Sequence, residues 1–480
     1  MNPETRSITH GSLPPWKVEE LPAPLPFSLR NALRTIGPGA ILLVGAIGMG
    51  EWIAGPLFVV QHGRSVLWIA TLAFVLQSLL NLEAVRYTLY TGEPVLTGFM
   101  RMRPGSRVWG VFYALAGFAQ LGMPAAAAGC AGVAFAMLQG RAPTDGDASM
   151  VTWITVALVL ISAVVLASGK KVERLLERLS WMMIIFIFSF LLWVNFTFVP
   201  LKDWISTSAG FFSFGSIPEN VDFVMLAVFA ALAGSGGIGN LAIANWFRDK
   251  GFGMGSKTGN MGGVWSTEQT LAPVGSVFPI NAENLRRWRD WWRYAIIDQS
   301  GLWMLGCIVG MFLMVNLASS LFQPGMQVSG VAAGVFQAAE MRKLWEGFWF
   351  LALMNGFWIL FSTTLTNVDV LARVVADMAW AGGAVPKKMP VGRLYGLLLL
   401  GFTVIACFGA FLGDAKLLLT ILGATAAPIT AFSALQILRL NTTLLPRELR
   451  PPLWRKIALV LTALFYGAIS FAMFHQIFSH

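Results

Sequence analysis

Eleven apolar runs dominate the chain, at about 37–62, 66–90, 107–138, 149–168, 179–200, 221–247, 292–318, 346–376, 393–413, 416–439 and 454–477. Each is long enough to cross a bilayer, which takes ~20 predominantly apolar residues in a helix. Inside hydrocarbon every backbone polar group needs an internal partner, so a chain of this kind folds as an all-α bundle of membrane-spanning helices. Hydrophobic residues fill 56% of the 480 positions and charged residues only 12%, against ~25% charged in soluble domains. A soluble fold is excluded. Residues 1–30 are polar and carry Pro14, Pro15, Pro22, Pro24 and Pro26, without the apolar stretch of a signal peptide, so the first span is expected to be retained.

The loops alternate in charge. Arg101, Arg103 and Arg107 follow span two; Lys170, Lys171, Arg174 and Arg178 follow span four; Arg248, Lys250, Lys257, Arg286, Arg287, Arg289 and Arg293 follow span six. Lys387, Lys388 and Arg393 follow span eight, and Arg439, Arg447, Arg450, Arg455 and Lys456 follow span ten. The opposite loops hold Asp145 and Asp147, Asp203 and Glu219, or Asp414. Positive loops stay in the cytoplasm, so the N-terminus is expected inside, the C-terminus outside, and the protein in the inner (plasma) membrane. The formal charge of +10 therefore reports topology and not a nucleic-acid surface. Cys130, Cys307 and Cys407 each sit in an apolar run with no metal-ligand spacing, and they read as small core residues. The loop at about 249–291 is rich in Trp and Arg beside a span, as interfacial anchors are.

Two spans are interrupted by glycine. Span one holds Gly45-Ala46-Ile47-Gly48-Met49-Gly50-Glu51-Trp52, and span six holds Gly234-Ser235-Gly236-Gly237-Ile238-Gly239-Asn240. Each glycine costs about 1 kcal/mol in a helix interior, so both segments should unwind. Unwound backbone at membrane depth is tolerated where it lines a cavity or is held by protein. A five-span offset between the breaks implies two inverted halves, residues 37–200 and 201–440, preceded by a tail (1–36) and followed by an added helix (441–480). Paired interruptions of this kind mark the substrate site of a secondary transporter.

These motifs resemble the Nramp divalent-metal transporters. Gly37-Pro38-Gly39 opens span one as the family's GPG does, Arg86 with Thr91-Gly92 ends span two like its RLGVVTG, and Ser362-Thr363-Thr364-Leu365-Thr366 matches its SSTITG run in span eight. The resemblance implies an inverted five-plus-five helix fold and proton coupling. The family's metal-binding DPGN then falls on Gly48-Met49-Gly50-Glu51 and its MPHN on Gly237-Ile238-Gly239-Asn240. The ligating Asp, Met and His become Gly48, Gly237 and Gly239, and the acidic pair of the third helix falls on Pro124 and Ala127. The scaffold carries over, while soft sulfur ligation, which helps select transition metals, is lost from span six.

The residues left at the breaks define the expected substrate site: Gly48, Glu51 and Trp52 in span one, Gly237, Asn240, Asn245 and Trp246 in span six, and Gln120 in span three. Four glycines in place of bulky ligands should widen the cavity, and amides with a carboxylate beside tryptophan suit a polyhydroxylated solute. A hexose such as glucose is the leading expectation. A carboxylate inside a membrane is functional by default, so Glu51 is expected both to bind substrate and to carry a coupled proton, with Asp369 as a second coupling residue unless it only pairs with Arg373 one turn later. The alternative keeps a hard divalent ion, Mg²⁺ or Mn²⁺, on oxygen ligands. Ser362 and Thr363 leave sodium coupling open by analogy of fold. No cofactor and no enzyme activity are expected: no nucleophile, base or metal constellation stands within the spans, and there is no soluble extension long enough to fold as a signalling domain.

Overall fold

The computed structural model describes residues 7–8, 11–169, 172–217, 221–266, 270–322, 334–386, 388–413 and 415–479. Of the loop residues used to orient the chain, Lys170, Lys171, Glu219, Lys387 and Asp414 lie outside this set. Among the described residues eleven helices are long and apolar enough to cross a membrane: Pro38–His62, Arg64–Thr91, Ser106–Gln139, Asp145–Ser168, Val172–Phe198, Phe223–Asp249, Ala282–Leu321, Gly347–Ala381, Val391–Gly409, Ala415–Thr443 and Leu453–Ser479. They are spans one to eleven below. The order and number match the sequence reading, and the bundle has the five-plus-five architecture with an eleventh helix added.

Burial sorts the spans into two kinds. Spans one and six are almost wholly enclosed by other helices, whereas spans four, five, nine and eleven turn most of their surface outward. An enclosed helix can tolerate a break, because its freed backbone groups meet protein instead of lipid. Span one runs as Pro38–Ala46, unwinds at Ile47–Met49, and resumes as a wide turn at Gly50–Ala54 followed by Gly55–His62. Span six runs as Phe223–Leu232 and Gly237–Asp249. Its connection puts Gly234, Gly236 and Gly237 at φ of +105°, +59° and +52°, a region that side-chain-bearing residues avoid.

Two features were not expected from sequence. Span three is also interrupted, between Ser106–Leu121 and Ala125–Gln139, where Pro124 cannot continue a helix. Span seven begins ten residues earlier than its apolar run. The strongly amphipathic helix Ala282–Ile296 extends it beyond the bundle, where Trp288, Trp291 and Tyr294 are buried while Arg286, Arg289 and Arg293 stay exposed. The Trp and Arg of this loop are therefore part of a helix that packs on the chain.

The face of the bundle that carries the N-terminus is closed by chain. A small sheet joins β1 (Ser7–Ile8), β2 (Trp16–Val18) and β3 (Ser276–Val277), β1 antiparallel and β3 parallel to β2. On span two Glu83 and Arg86, three residues apart, pair at 2.7 Å, and Arg455 of span eleven reaches the same carboxylate at 3.0 Å.

Candidate functional site

Span eight holds the first break open. Ser362 Oγ donates to the Val44 carbonyl at 2.9 Å and Thr363 Oγ1 to the Gly45 carbonyl at 3.2 Å, groups that an intact helix would have bonded internally. The turn that follows carries Glu51 inward, fully buried. One carboxylate oxygen, Oε2, accepts from the Gly48 amide at 3.4 Å, and the Gly234 amide of span six also faces the carboxylate. The other, Oε1, is buried without a partner among the described residues. Both breaks thus meet at this one side chain.

The second break is held by side chains from three spans. Gln77 of span two accepts through Oε1 from Ser235 N and Gly236 N, both at 3.0 Å, and donates through Nε2 to the Ala233 carbonyl at 2.8 Å and Tyr466 Oη at 2.7 Å. Gln120 accepts from Ile238 N at 2.9 Å and donates to the Gly236 carbonyl at 3.2 Å. Thr430 Oγ1 accepts from Gly237 N at 2.7 Å. Unwinding therefore leaves few backbone groups free. Two side-chain oxygens here, Ser235 Oγ and Asn240 Oδ1, are buried without a partner among the described residues.

Asn240 also begins a polar chain through the bundle. Its Nδ2 donates to Asn81 Oδ1 at 2.8 Å, Asn81 Nδ2 to Gln299 Oε1 at 3.0 Å, and Gln299 Nε2 to Asp298 Oδ2 at 2.8 Å. Asp298 in turn accepts from Gly37 N at 2.8 Å and Gly39 N at 2.7 Å, capping the start of span one. A Cβ on Gly39 would lie 2.4 Å from the Asp298 carbonyl oxygen, so the glycine is needed for this contact.

Of the residues singled out from sequence, Gly48, Glu51, Gly237, Asn240 and Gln120 come together here. Trp52 is fully buried but engaged elsewhere: its indole N–H donates to the Gly334 carbonyl at 3.1 Å and its ring packs on Gly356 of span eight. Asn245, Trp246 and Asp369 lie nearer the N-terminal face, in a second buried cluster. There Asp369 accepts from Arg373 at 2.8 and 3.0 Å, from Trp246 Nε1 at 3.2 Å and from Tyr395 Oη at 2.9 Å. Arg373 also pairs with Asp249, Arg248 bridges Asp249 at 2.7 Å and Asp377 at 2.6 Å, and Asn245 donates to Asp377. Asp369 is thus saturated by its partners, among them the Arg373 that its spacing pointed to. Gln77, Thr430, Asn81 and Asp298 complete the site and its supports. The four-residue spacing of Gln77 and Asn81 on one face of an apolar span was their visible signal.

The expected widening is corrected by the packing. A Cβ on Gly48 would fall 1.8 Å from Thr363 Oγ1, and one on Gly237 2.2 Å from Gln120 Oε1. Neighbouring side chains occupy the space at Gly48 and Gly237, whereas a Cβ on Gly239 would meet only Ser235 Cβ, at 3.3 Å.

No family model and no curated protein matches the sequence. The fold does match. It is the architecture of a polytopic membrane protein, with broken helices one and six meeting at the centre. The chain superposes on the crystal structure of a manganese transporter from Eremococcus coleocola, solved with an aromatic bis-isothiourea compound, with a TM-score of 0.61 at 14% identity over 95% of this chain and 90% of that one. A single-residue variant of the same transporter gives a TM-score of 0.62 at 14% identity, covering 94% and 88%. The resemblance to Nramp transporters extends to the whole fold, and at this identity it is one of fold.

Proposed function

We propose that the protein is a secondary transporter whose cargo is a small divalent cation of the hard, oxygen-preferring class, Mn²⁺ or Mg²⁺, taken up at the two breaks. The observation that carries this reading is a group of buried oxygens without partners among the described residues, Glu51 Oε1, Ser235 Oγ and Asn240 Oδ1, at the breaks of the two interrupted helices. Buried polar atoms are nearly always satisfied, so orphans clustered on functional backbone call for a ligand or water. Hard cations take such oxygens and keep part of their hydration shell. The filled space at Gly48 and Gly237 argues against a hexose-sized solute in this conformation, and the likeness of fold to the Eremococcus manganese transporter agrees with a metal ion.

Glu51 supplies the coupling. A cation that binds Oε1 takes the place of a proton carried by the carboxyl, since metal ligation needs the deprotonated group. Proton exchange at Glu51 is therefore the proposed coupling step. Asp369, held by Arg373, serves closure of the N-terminal face, and the Ser362 and Thr363 hydroxyls brace span one. The protein would sit in the plasma membrane with its N-terminal face toward the cytoplasm, where its arginine-rich loops belong.

The test is uptake into proteoliposomes of Mn²⁺, Mg²⁺ and glucose, by wild type and Glu51→Gln. Saturable uptake of either cation that Glu51→Gln abolishes is the expected result. Glucose uptake with no cation signal would overturn the reading.

A further inference from the structure

The N-terminal tail crosses the whole N-terminal face and is fastened at each end to a different part of the bundle. Its first anchor is Trp16, 1% exposed. The indole lies between Tyr87 and Tyr90 at the end of span two, each ring centroid 6.4 Å away, with the Arg101 guanidinium 4.5 Å above it. Arg101 pairs with Glu93 at 2.5 Å and donates to the Pro14 carbonyl at 2.9 Å. Just before Trp16, Ser12 donates from N and Oγ to the carbonyls of Arg101 and Met100, at 3.2 and 2.7 Å. Gly11 passes so close that a Cβ would lie 1.9 Å from the Arg101 carbonyl oxygen, and its φ of +69° suits glycine alone.

The tail then pairs through β2 with β3 and continues along the extension of span seven. Three donors there hold its carbonyls: Arg287 the Leu21 carbonyl at 2.7 Å, Trp291 that of Pro22 at 2.8 Å, and Tyr294 those of Leu25 and Pro26 at 3.1 and 3.2 Å. From there it enters span one, where Lys250 Nζ donates to the Ile36 carbonyl at 2.9 Å. Prolines at 14, 15, 22, 24 and 26 suit this path, since they need no N–H partner and restrict the released tail.

The two anchorages reach different neighbours. Arg101 ends the short helix Val95–Arg101, which packs against spans three, eight and ten as well as spans two and six. Arg287, Trp291 and Tyr294 belong to the extension Ala282–Ile296, which packs against span two, while the part of span seven that follows it, Ile297–Met304, packs against spans one and two. Alternating access in bundles of this kind is largely rocking of one set of helices against the other. A strap that joins the extension of span seven to a helix packed on spans three, eight and ten opposes any motion that parts the two at this face.

We propose that residues 11–27 are a latch: with Trp16 seated the N-terminal face stays shut, and release of Trp16 permits it to open. Opening rests on the transport reading, but the experiment reads access and not uptake, so the identity of the cargo does not enter it. In a variant lacking the three native cysteines, Ala244→Cys places a thiol on span six between Asn240 and Arg248, a position now fully buried. Its labelling by a membrane-impermeant maleimide is timed with and without Trp16→Ala. The expected result is faster labelling by about tenfold or more, the factor that each ~1.4 kcal/mol gives an equilibrium. An unchanged rate in Trp16→Ala, while Arg373→Ala does raise it, would overturn the latch. Should Trp16→Ala fail to purify, Tyr294→Phe removes one donor to the strap and keeps the ring; a smaller acceleration supports the proposal and none refutes it.

Discussion

Thr363 stands where a side chain on Gly48 would go, its Oγ1 1.8 Å from the Cβ that such a residue would carry. The fit is two-sided, because the same hydroxyl braces the break through the Gly45 carbonyl. Putting Asp at Gly48 in this fold therefore overpacks the crossing of spans one and eight, at a cost of about 1–3 kcal/mol. Gly48→Asp should lower the melting temperature in detergent, and Thr363→Ala should recover part of the loss by removing the two outer atoms of the clash. An Asp that melts like wild type would mean that the crossing is looser than this packing.

The second break makes a sharper stability prediction. Gln77→Leu strips partners from two amides, one carbonyl and the Tyr466 hydroxyl, whereas Gln120→Leu strips them from one amide and one carbonyl. Each buried group left unpaired costs about 1–3 kcal/mol. Chemical unfolding should rank Gln77→Leu as the more damaging of the two. Equal, small losses would indicate that water replaces both side chains.

These same residues show how far the sequence could be read. The spans and the two breaks were legible, since apolar length and glycine clusters act locally and leave a trace in the sequence. The filling of the glycine space was not. Whether Gly48 opens a cavity or admits Thr363 depends on how close span eight comes, and no spacing in either segment encodes that distance. Asn245 and Trp246 follow Asn240 by only five and six residues, yet the helix carries them away from the break into the Arg248, Arg373 and Asp377 cluster. The strap was invisible for another reason: its prolines and lone Trp16 have no periodicity, and their partners lie on spans two and seven.

Arg373 is enclosed between Asp249 and Asp369, with none of its side chain exposed. Taking one member from a buried ion pair costs about 3–5 kcal/mol, because the partner charge is left without compensation. Arg373→Ala leaves Asp369 in that state, while Asp249 keeps Arg248, so it should both destabilise the protein and favour states that let water reach Asp369. Cysteine labelling at position 244 should accelerate together with the fall in melting temperature. Arg373→Ala with normal melting and no gain of access would show that the cluster does not hold this face closed.

The latch carries its own pH signature through Glu93, which lies in the loop between spans two and three. Burial pushes its carboxyl up, but the hydrogen bond and charge of Arg101, joined by the donors Trp16 and Tyr87, more than offset this and hold it below its ordinary 4.5. A carboxyl depressed in the folded state stabilises that state above its unfolded pKa, and the contribution fades as pH falls through the folded value. The strap should therefore stay seated at neutral pH and loosen only in acid below the ordinary carboxylate range. A nitroxide on Lys17→Cys, at an exposed site beside Trp16, would report this as a mobile fraction that grows on acidification. In Glu93→Gln the pairing with Arg101 is already lost, so the label should be more mobile at neutral pH and lose this acid-dependent step. A wild-type label that loosens between pH 6 and 8 would place the controlling group elsewhere, in a side chain that titrates near neutrality.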